Sequence, residues 1–108
     1  MPPSREWVGG PLLSLMKPTA NLINTRRGEV LDAAALAAAI RSKEIAGAAI
    51  DVFDPEPPPA DYPLLGFDNV LLAPDMAART LTAVENMSCV VRDVVEVLSG
   101  RPPMYPAP

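Results

Sequence analysis

Apolar and polar positions divide this chain into short blocks with different periods. Ala20 to Asn24 is a brief apolar run that passes straight into the charged turn Thr25-Arg26-Arg27-Gly28. Gly47 to Phe53 is apolar throughout except for Asp51, and Asn69 to Ala73 is a third such run, stopped by Pro74. Runs of this length without alternation are expected of strands covered on both faces, as in parallel sheets. Between the first two lies Asp32 to Ser42, where Ala33 to Ala39 is nearly all strong helix former and Asp32 stands as N-cap. Leu36 and Ile40, four apart, mark its buried stripe, while Arg41, Lys43 and Glu44 are expected to face water. Val84, Met87, Val91, Val94 and Leu98 recur at spacings of three and four, with Val90, Val95 and Val97 widening the face. That pattern predicts one long last helix, capped by Thr80 and stopped near Gly100. Pro11 to Met16 reads as a short helix with proline in its first turn, and Tyr62 to Gly66 as one apolar turn.

The order is therefore β-α-β-turn-β-α, with connections long enough for right-handed crossovers, so the predicted fold class is α/β with a parallel sheet of about three strands. Such sheets bind ligands beyond the carboxyl ends of their strands. Those ends carry Asn24 to Gly28, Asp51 to Glu56 and Asp75 to Ala78, and all three are expected on one rim. Arg27 there is suited to grip a carboxylate through two parallel hydrogen bonds; the alternative is a solvated loop arginine before a turn glycine. Asp51, inside an apolar run, needs a partner if it is buried. Asp54-Pro55-Glu56-Pro57-Pro58-Pro59 can be neither helix nor central strand. It is either a stiff loop that fixes Glu56 or a plain proline-rich connector.

Composition narrows the function class. A chain of 108 residues with 49% hydrophobic content suits one modest domain with a packed core. Residues 1–9 read as a flexible N-terminus, 10–100 as the folded part and 101–108 as a proline-rich tail. The net charge of −4, without a basic cluster, argues against a nucleic-acid partner. No apolar run reaches membrane-spanning length and no signal peptide opens the chain. Cys89 is the single cysteine, so no internal disulfide is possible, and a reducing, cytoplasmic setting fits. No metal-ligand pattern is present, and the chain contains no histidine at all.

The order of motifs carries a family resemblance. Met16-Lys17-Pro18-Thr19-Ala20, Leu22-Ile23-Asn24-Thr25-Arg26-Arg27-Gly28, Ala46-Gly47-Ala48-Ala49-Ile50-Asp51-Val52-Phe53-Asp54-Pro55-Glu56-Pro57 and Leu72-Ala73-Pro74-Asp75-Met76-Ala77-Ala78-Arg79-Thr80 together resemble the D-isomer-specific 2-hydroxyacid dehydrogenases over about residues 10–100. The resemblance implies the C-terminal half of a Rossmann-like, doubly wound NAD(P)-binding domain. It implies NAD or NADP as cofactor and a small 2-hydroxy or 2-keto acid as substrate. On it, Arg27 holds the substrate carboxylate and polarises the keto oxygen. Glu56 falls on the family's glutamate, and Asp51 on the aspartate that holds the nicotinamide amide. Thr25 and Arg26 lie on a turn that passes along the cofactor, and Ala77 and Ala78 on another.

Two departures stand out against that pattern. The family's proton donor is a histidine directly after the proline of the third strand, a position held here by Asp75. An imidazole titrates near ~6.5 and an aspartate carboxyl near ~3.9, so the exchange removes an acid suited to neutral pH. The chain also has no Gly-x-Gly-x-x-Gly turn, no first mononucleotide half and no substrate domain. The expectation is a fragment that is weak or inactive alone and that self-associates or needs a complementing half-domain. The contrasting class is a non-enzymatic interaction module, binding a partner through its open sheet edge and last helix. A third reading is a decayed remnant with no activity.

Overall fold

A computed structural model describes residues 5–106. The chain forms two compact units, Met1–Asp75 and Met76–Pro108, and each is described by itself. Of the expected flexible N-terminus, residues 1–4 lie outside the described residues, as do residues 107 and 108 of the proline-rich tail.

The first unit holds α1 (Gly10–Leu13), β1 (Asn21–Asn24), a 3-10 turn (Gly28–Val30), α2 (Ala33–Arg41), β2 (Gly47–Ile50) and β3 (Val70–Leu72). Its strands form a three-stranded sheet in the order β1-β2-β3, and both pairings are parallel. The expected α/β class is thus present. Asp32 caps α2, accepting the Ala35 N–H at 2.9 Å, and satisfies one of the donors that the first turn leaves open. The helix buries Leu36, Ala37, Ala39 and Ile40, and leaves Arg41, Lys43 and Glu44 exposed. The Arg41 guanidinium lies 5.4 Å from the centre of the Phe67 ring, so its stem covers apolar surface while its charge stays in water.

Leu13, Leu36, Ile45, Ile50 and Leu64 are the largest fully buried side chains, and Tyr62 closes the core beside them. Each full burial of a residue this size contributes roughly 1.5–3 kcal/mol. The turn expected at Tyr62 to Gly66 therefore also anchors the core. Register explains which strand residues join it. Leu22, Ala48 and Val70 sit opposite one another and belong to the core cluster or pack against it. Ile23, Ala49 and Leu71 form the neighbouring row, and side chains one residue apart on a strand point to opposite faces. Ile23 is 72% exposed and Leu71 69% exposed. One face of the sheet carries the core, and these two residues of the other meet solvent.

Some element boundaries differ from expectation, and α1 ends at Leu13 where the sequence suggested Met16. The second strand ends at Ile50 and not at Phe53. Its partners end at Asn24 and Leu72, so no ladder remains for Asp51 to Phe53, and Pro74 offers no N–H to extend one. The N-terminal stretch is tied along part of its length. Glu6 N–H donates to Glu29 O and Val8 N–H to Val30 O, and Asp32 N–H donates back to Val8 O. Val8 and Leu31 make an isolated parallel bridge.

The second unit contains α3 (Leu81–Ser88) and α4 (Val90–Leu98). Thr80 caps α3 by accepting the Ala83 N–H at 3.0 Å. The long last helix is present as these two segments, tightened at Cys89, whose N–H reaches Asn86 O at 3.2 Å. Ser88 Oγ donates to Val84 O at 2.9 Å, a back-bond of the kind that bends helices. The apolar face read from the sequence is real but uncovered: Val84, Met87, Val90, Val91, Val94, Val95, Val97 and Leu98 are all more than half exposed. After α4 the chain turns back. Arg101 makes a paired ion contact with Glu96, and the Asp93 carboxylate accepts the N–H groups of Met104 and Tyr105, each at 3.0 Å. The Arg101 guanidinium holds the Glu96 carboxyl below its ordinary range. No described helix is long and apolar enough to cross a membrane.

Candidate active site

Three consecutive pieces of local chemistry shape the carboxyl ends of the strands. The first is the turn after β1. Asn24 holds it from inside, with Oδ1 accepting the Arg26 N–H at 3.1 Å and Nδ2 donating to Arg27 O at 2.9 Å. An asparagine that satisfies both ends of a turn replaces the backbone pairing the strand has just lost. Thr25, Arg26 and Arg27 are left exposed on that turn.

The second piece is the loop after β2. Asp51 is 7% exposed, and its N–H donates to Asn24 O at 3.0 Å. No buried side-chain nitrogen or oxygen among the described residues lacks a hydrogen-bond partner, so the need for a partner read from the sequence is met. Glu56 Oε1 accepts the Phe53 N–H at 2.9 Å, which closes the proline-rich segment on itself. Phe53 in turn meets Tyr62 edge-to-face with ring centres 5.4 Å apart. Burial, with a smaller push from the Asp54 charge, raises the Tyr62 hydroxyl above its ordinary pKa. Arg5 pairs with Asp54 at 2.8 Å and reaches Glu29 at 4.0 Å.

The third piece is Asp75. It adopts a left-handed conformation with φ of 54°, and its N–H donates to Asp51 O at 2.8 Å. Aspartate is among the few residues that enter this region readily. Its carboxylate has no ion pair among the described residues.

These pieces meet in one cavity of about 310 Å³. Arg26, Arg27, Gly28, Glu29, Asp54, Glu56 and Asp75 line it, with Val52 and Phe53 as its apolar wall. A second, more apolar hollow shares Phe53, Glu56 and Asp75 and continues along Pro57, Pro58, Leu65 and Leu72. Arg27, Glu56 and Asp75, separated by up to 48 positions in the chain, thus face one space. Thr25 and Asp51 flank it on the same strand ends, while Ala77 and Ala78 belong to the second unit. No cluster of three or more metal-binding side chains exists among the described residues.

Sequence reasoning missed three contributors. Arg5 lies in a stretch with no pattern to mark it. Asn24 is part of a quoted motif, but nothing in its spacing showed that it spans the turn. Gly28 is a glycine for a reason other than turn conformation. A Cβ there would lie 2.0 Å from the Phe53 carbonyl carbon and 2.5 Å from Asp54 N.

A parallel sheet whose strand ends gather an arginine and carboxylates is an arrangement that open α/β folds use to bind ligands. The chain belongs to the family described as D-isomer specific 2-hydroxyacid dehydrogenase, NAD binding domain, whose model matches residues 1–77. It is 49% identical over 92 residues to a glyoxylate reductase of Thermofilum pendens, a match that takes in 84% of this chain and 27% of that protein. The D-isomer specific 2-hydroxyacid dehydrogenase of Lactobacillus delbrueckii ssp. bulgaricus, solved in its NAD-complexed form, superposes with a TM-score of 0.71 at 32% identity, over 96% of this chain and 36% of that one. An acyclic imino acid reductase solved with NADPH and D-Arg gives a TM-score of 0.70 at 35% identity, over 92% of this chain and 32% of that one. The chain therefore spans about a quarter to a third of the length of these proteins.

Proposed function

We propose that this chain forms the nicotinamide-side rim of an NAD(P)-dependent oxidoreductase that interconverts small 2-hydroxy and 2-keto acids. One observation carries the reading: Arg27, Glu56 and Asp75 line a single cavity at the carboxyl ends of a parallel sheet. Residues 10–100 are then the second half of a cofactor domain, and activity needs a complementing half and a substrate domain.

The donor set fits one end of a dinucleotide. Thr25 and Arg26 offer exposed donors, and Asp51 stands at the neighbouring strand end, 7% exposed. Those groups match a nicotinamide carboxamide and ribose hydroxyls, which need both donors and acceptors. The chain has no glycine-rich turn for the pyrophosphate, so the fit is to the nicotinamide end alone. When bound, the cofactor supplies or removes a hydride.

The residues divide the remaining work. Arg27 grips the substrate carboxylate through its planar fork and places its positive charge beside the keto oxygen. Glu56, fixed by the Phe53 N–H, lines the same cavity. Asp75 occupies the position from which a proton would be exchanged with that oxygen. Gly28 lets the Arg27 turn lie against the Phe53–Asp54 peptide, and Arg5 ties the same loop from the other side. Both hold the rim together.

The test is a chimera in which residues 10–100 replace the matching segment of the Thermofilum glyoxylate reductase. The chimera should bind NADH and reduce glyoxylate slowly. Arg27→Ala should cut kcat/KM by roughly tenfold or more, the scale of a lost charged hydrogen bond. A chimera that binds NADH but is indifferent to Arg27→Ala would refute the assignment.

A second reading is favoured by the exposed valines of α4. They form an apolar face wide enough for a partner, as an interaction module would need. Reducing, cytoplasmic conditions suit either reading, since Cys89 has no partner cysteine.

A further inference from the structure

We infer that the acid taken at this rim carries an apolar substituent of several carbons on the carbon next to its carboxylate, received by the hollow beside the charged cavity. The inference rests on the reading of the rim as a site for 2-hydroxy and 2-keto acids, and it names which of them fit.

The two spaces adjoin but differ in chemistry. The charged cavity of about 310 Å³ and the hollow of about 460 Å³ share Phe53, Glu56 and Asp75 in their linings. Arg26 and Arg27 line only the first, and Pro57, Pro58, Leu65, Leu72 and Pro74 only the second. An acid held by Arg27 and reaching past Glu56 and Asp75 therefore meets a wall of carbon. Glyoxylate has no substituent to place there. A branched aliphatic substituent covers that wall and takes apolar surface out of water, including Leu65, which is 46% exposed. Glu56 and Asp75, lining both spaces, oppose a substituent that ends in a second negative charge.

The wall is set before any ligand arrives. The Phe53 ring meets Tyr62 edge-to-face, and its N–H is bonded to Glu56. Leu65 N–H donates to Tyr62 O at 3.1 Å, and its neighbour Leu64 is fully buried. Leu72 lies in β3 and packs against the core, while ring closure fixes φ at Pro57, Pro58 and Pro74. A wall held in this way needs little ordering when a ligand binds, so burial of the substituent is kept as affinity.

Binding by the natural chain tests this without a turnover assay. Pyruvate and 4-methyl-2-oxopentanoate are achiral keto acids that differ in three further apolar carbons, and 2-oxoglutarate extends instead to a second carboxylate. Each is titrated into the full chain at equal ionic strength, following the Arg27 amide and the methyl resonances of Leu65 and Leu72. All three acids should move the Arg27 amide. Only 4-methyl-2-oxopentanoate should also move both leucines, and it should bind roughly tenfold more tightly than pyruvate, the scale of partly burying three carbons. Leu65→Ser should remove most of that preference while the Arg27 amide still responds. Equal affinities for the three acids, or a branched acid that moves the Ile23 and Leu71 methyls in place of Leu65, would overturn the inference and leave the broader acid reading standing. A Leu65→Ser chain that keeps the full preference would do the same. An Arg27 amide that answers to none of the acids, in a chain whose spectrum is folded, would overturn that reading and the inference with it.

Discussion

Gly28 and Phe53, from different strand-end loops, touch backbone to backbone: a Cβ on Gly28 would fall 2.0 Å from the Phe53 carbonyl carbon. Nothing at that distance is a flexible side chain that can swing away. Gly28→Ala must therefore push the Arg27 turn off the loop that carries Glu56. The expected cost is about 3 kcal/mol, the upper end for overpacking, because backbone has to move. Urea denaturation of the variant measures it, and a midpoint equal to that of the natural chain would show that the two loops do not depend on each other.

Asp75→His should restore keto-acid chemistry where the cofactor half and substrate domain are supplied. The backbone there is left-handed, φ 54°, a region that histidine also enters more readily than most residues. In the glyoxylate reductase chimera the substitution should raise glyoxylate reduction by about 100-fold or more, the ordinary yield of general acid catalysis at neutral pH. Equal rates in two folded, NADH-binding chimeras would mean that Asp75 does not stand at the reacting oxygen.

Tyr62 makes stability depend on alkaline pH. Its hydroxyl is raised above the ordinary value by burial first and by the Asp54 charge second. The folded state thus keeps a proton that the unfolded state gives up. The stabilisation is complete below the unfolded value of about 10 and declines as pH rises through the higher folded value. Urea midpoints at about pH 9 and 11, on either side of the ordinary value, should differ more for the natural chain than for Tyr62→Phe. Parallel losses in both would remove Tyr62 as the cause.

Ile23 and Leu71 should drive self-association. They flank Ala49 in one row of the sheet, and both are more than two-thirds exposed. β1 and β3 are also open edges of the sheet. Sedimentation at tens of micromolar, roughly where exposed edges associate, should show species heavier than a monomer. The double variant Ile23→Thr and Leu71→Thr should lower the heavier fraction. A clean monomer for the natural chain would count against the idea.

Much of this architecture was legible because its signals are local. Asp32 ahead of an alanine run, and Thr80 ahead of a three-four apolar repeat, each announce a helix start with a hydrogen bond that the structure contains. Three apolar runs gave three parallel strands. What stayed hidden depends on neighbours. The end of β2 at Ile50 is set by where Asn24 and Leu72 stop, which no reading of Asp51-Val52-Phe53 reveals. The same runs suggested strands covered twice, yet Ile23 and Leu71 are bare, because a sequence pattern records what a face is built to meet and not whether it is met. Arg27, Glu56 and Asp75 were picked out separately by motif, and the shared cavity ties them together. Arg5 had no signal, since a single arginine in an unpatterned stretch is ordinary until Asp54 is found 2.8 Å away.

The Asp93 clasp gives the last helix an unusual kind of ending. Its two oxygens hold the amides of Met104 and Tyr105, more than ten positions further on, beside the middle of α4. Those two amides sit on largely exposed residues, yet hydrogen exchange at both should wait for the clasp to open. Their exchange clock is therefore set by Asp93 and not by their own exposure, and it makes two residues of an irregular segment into reporters on a helix they do not belong to.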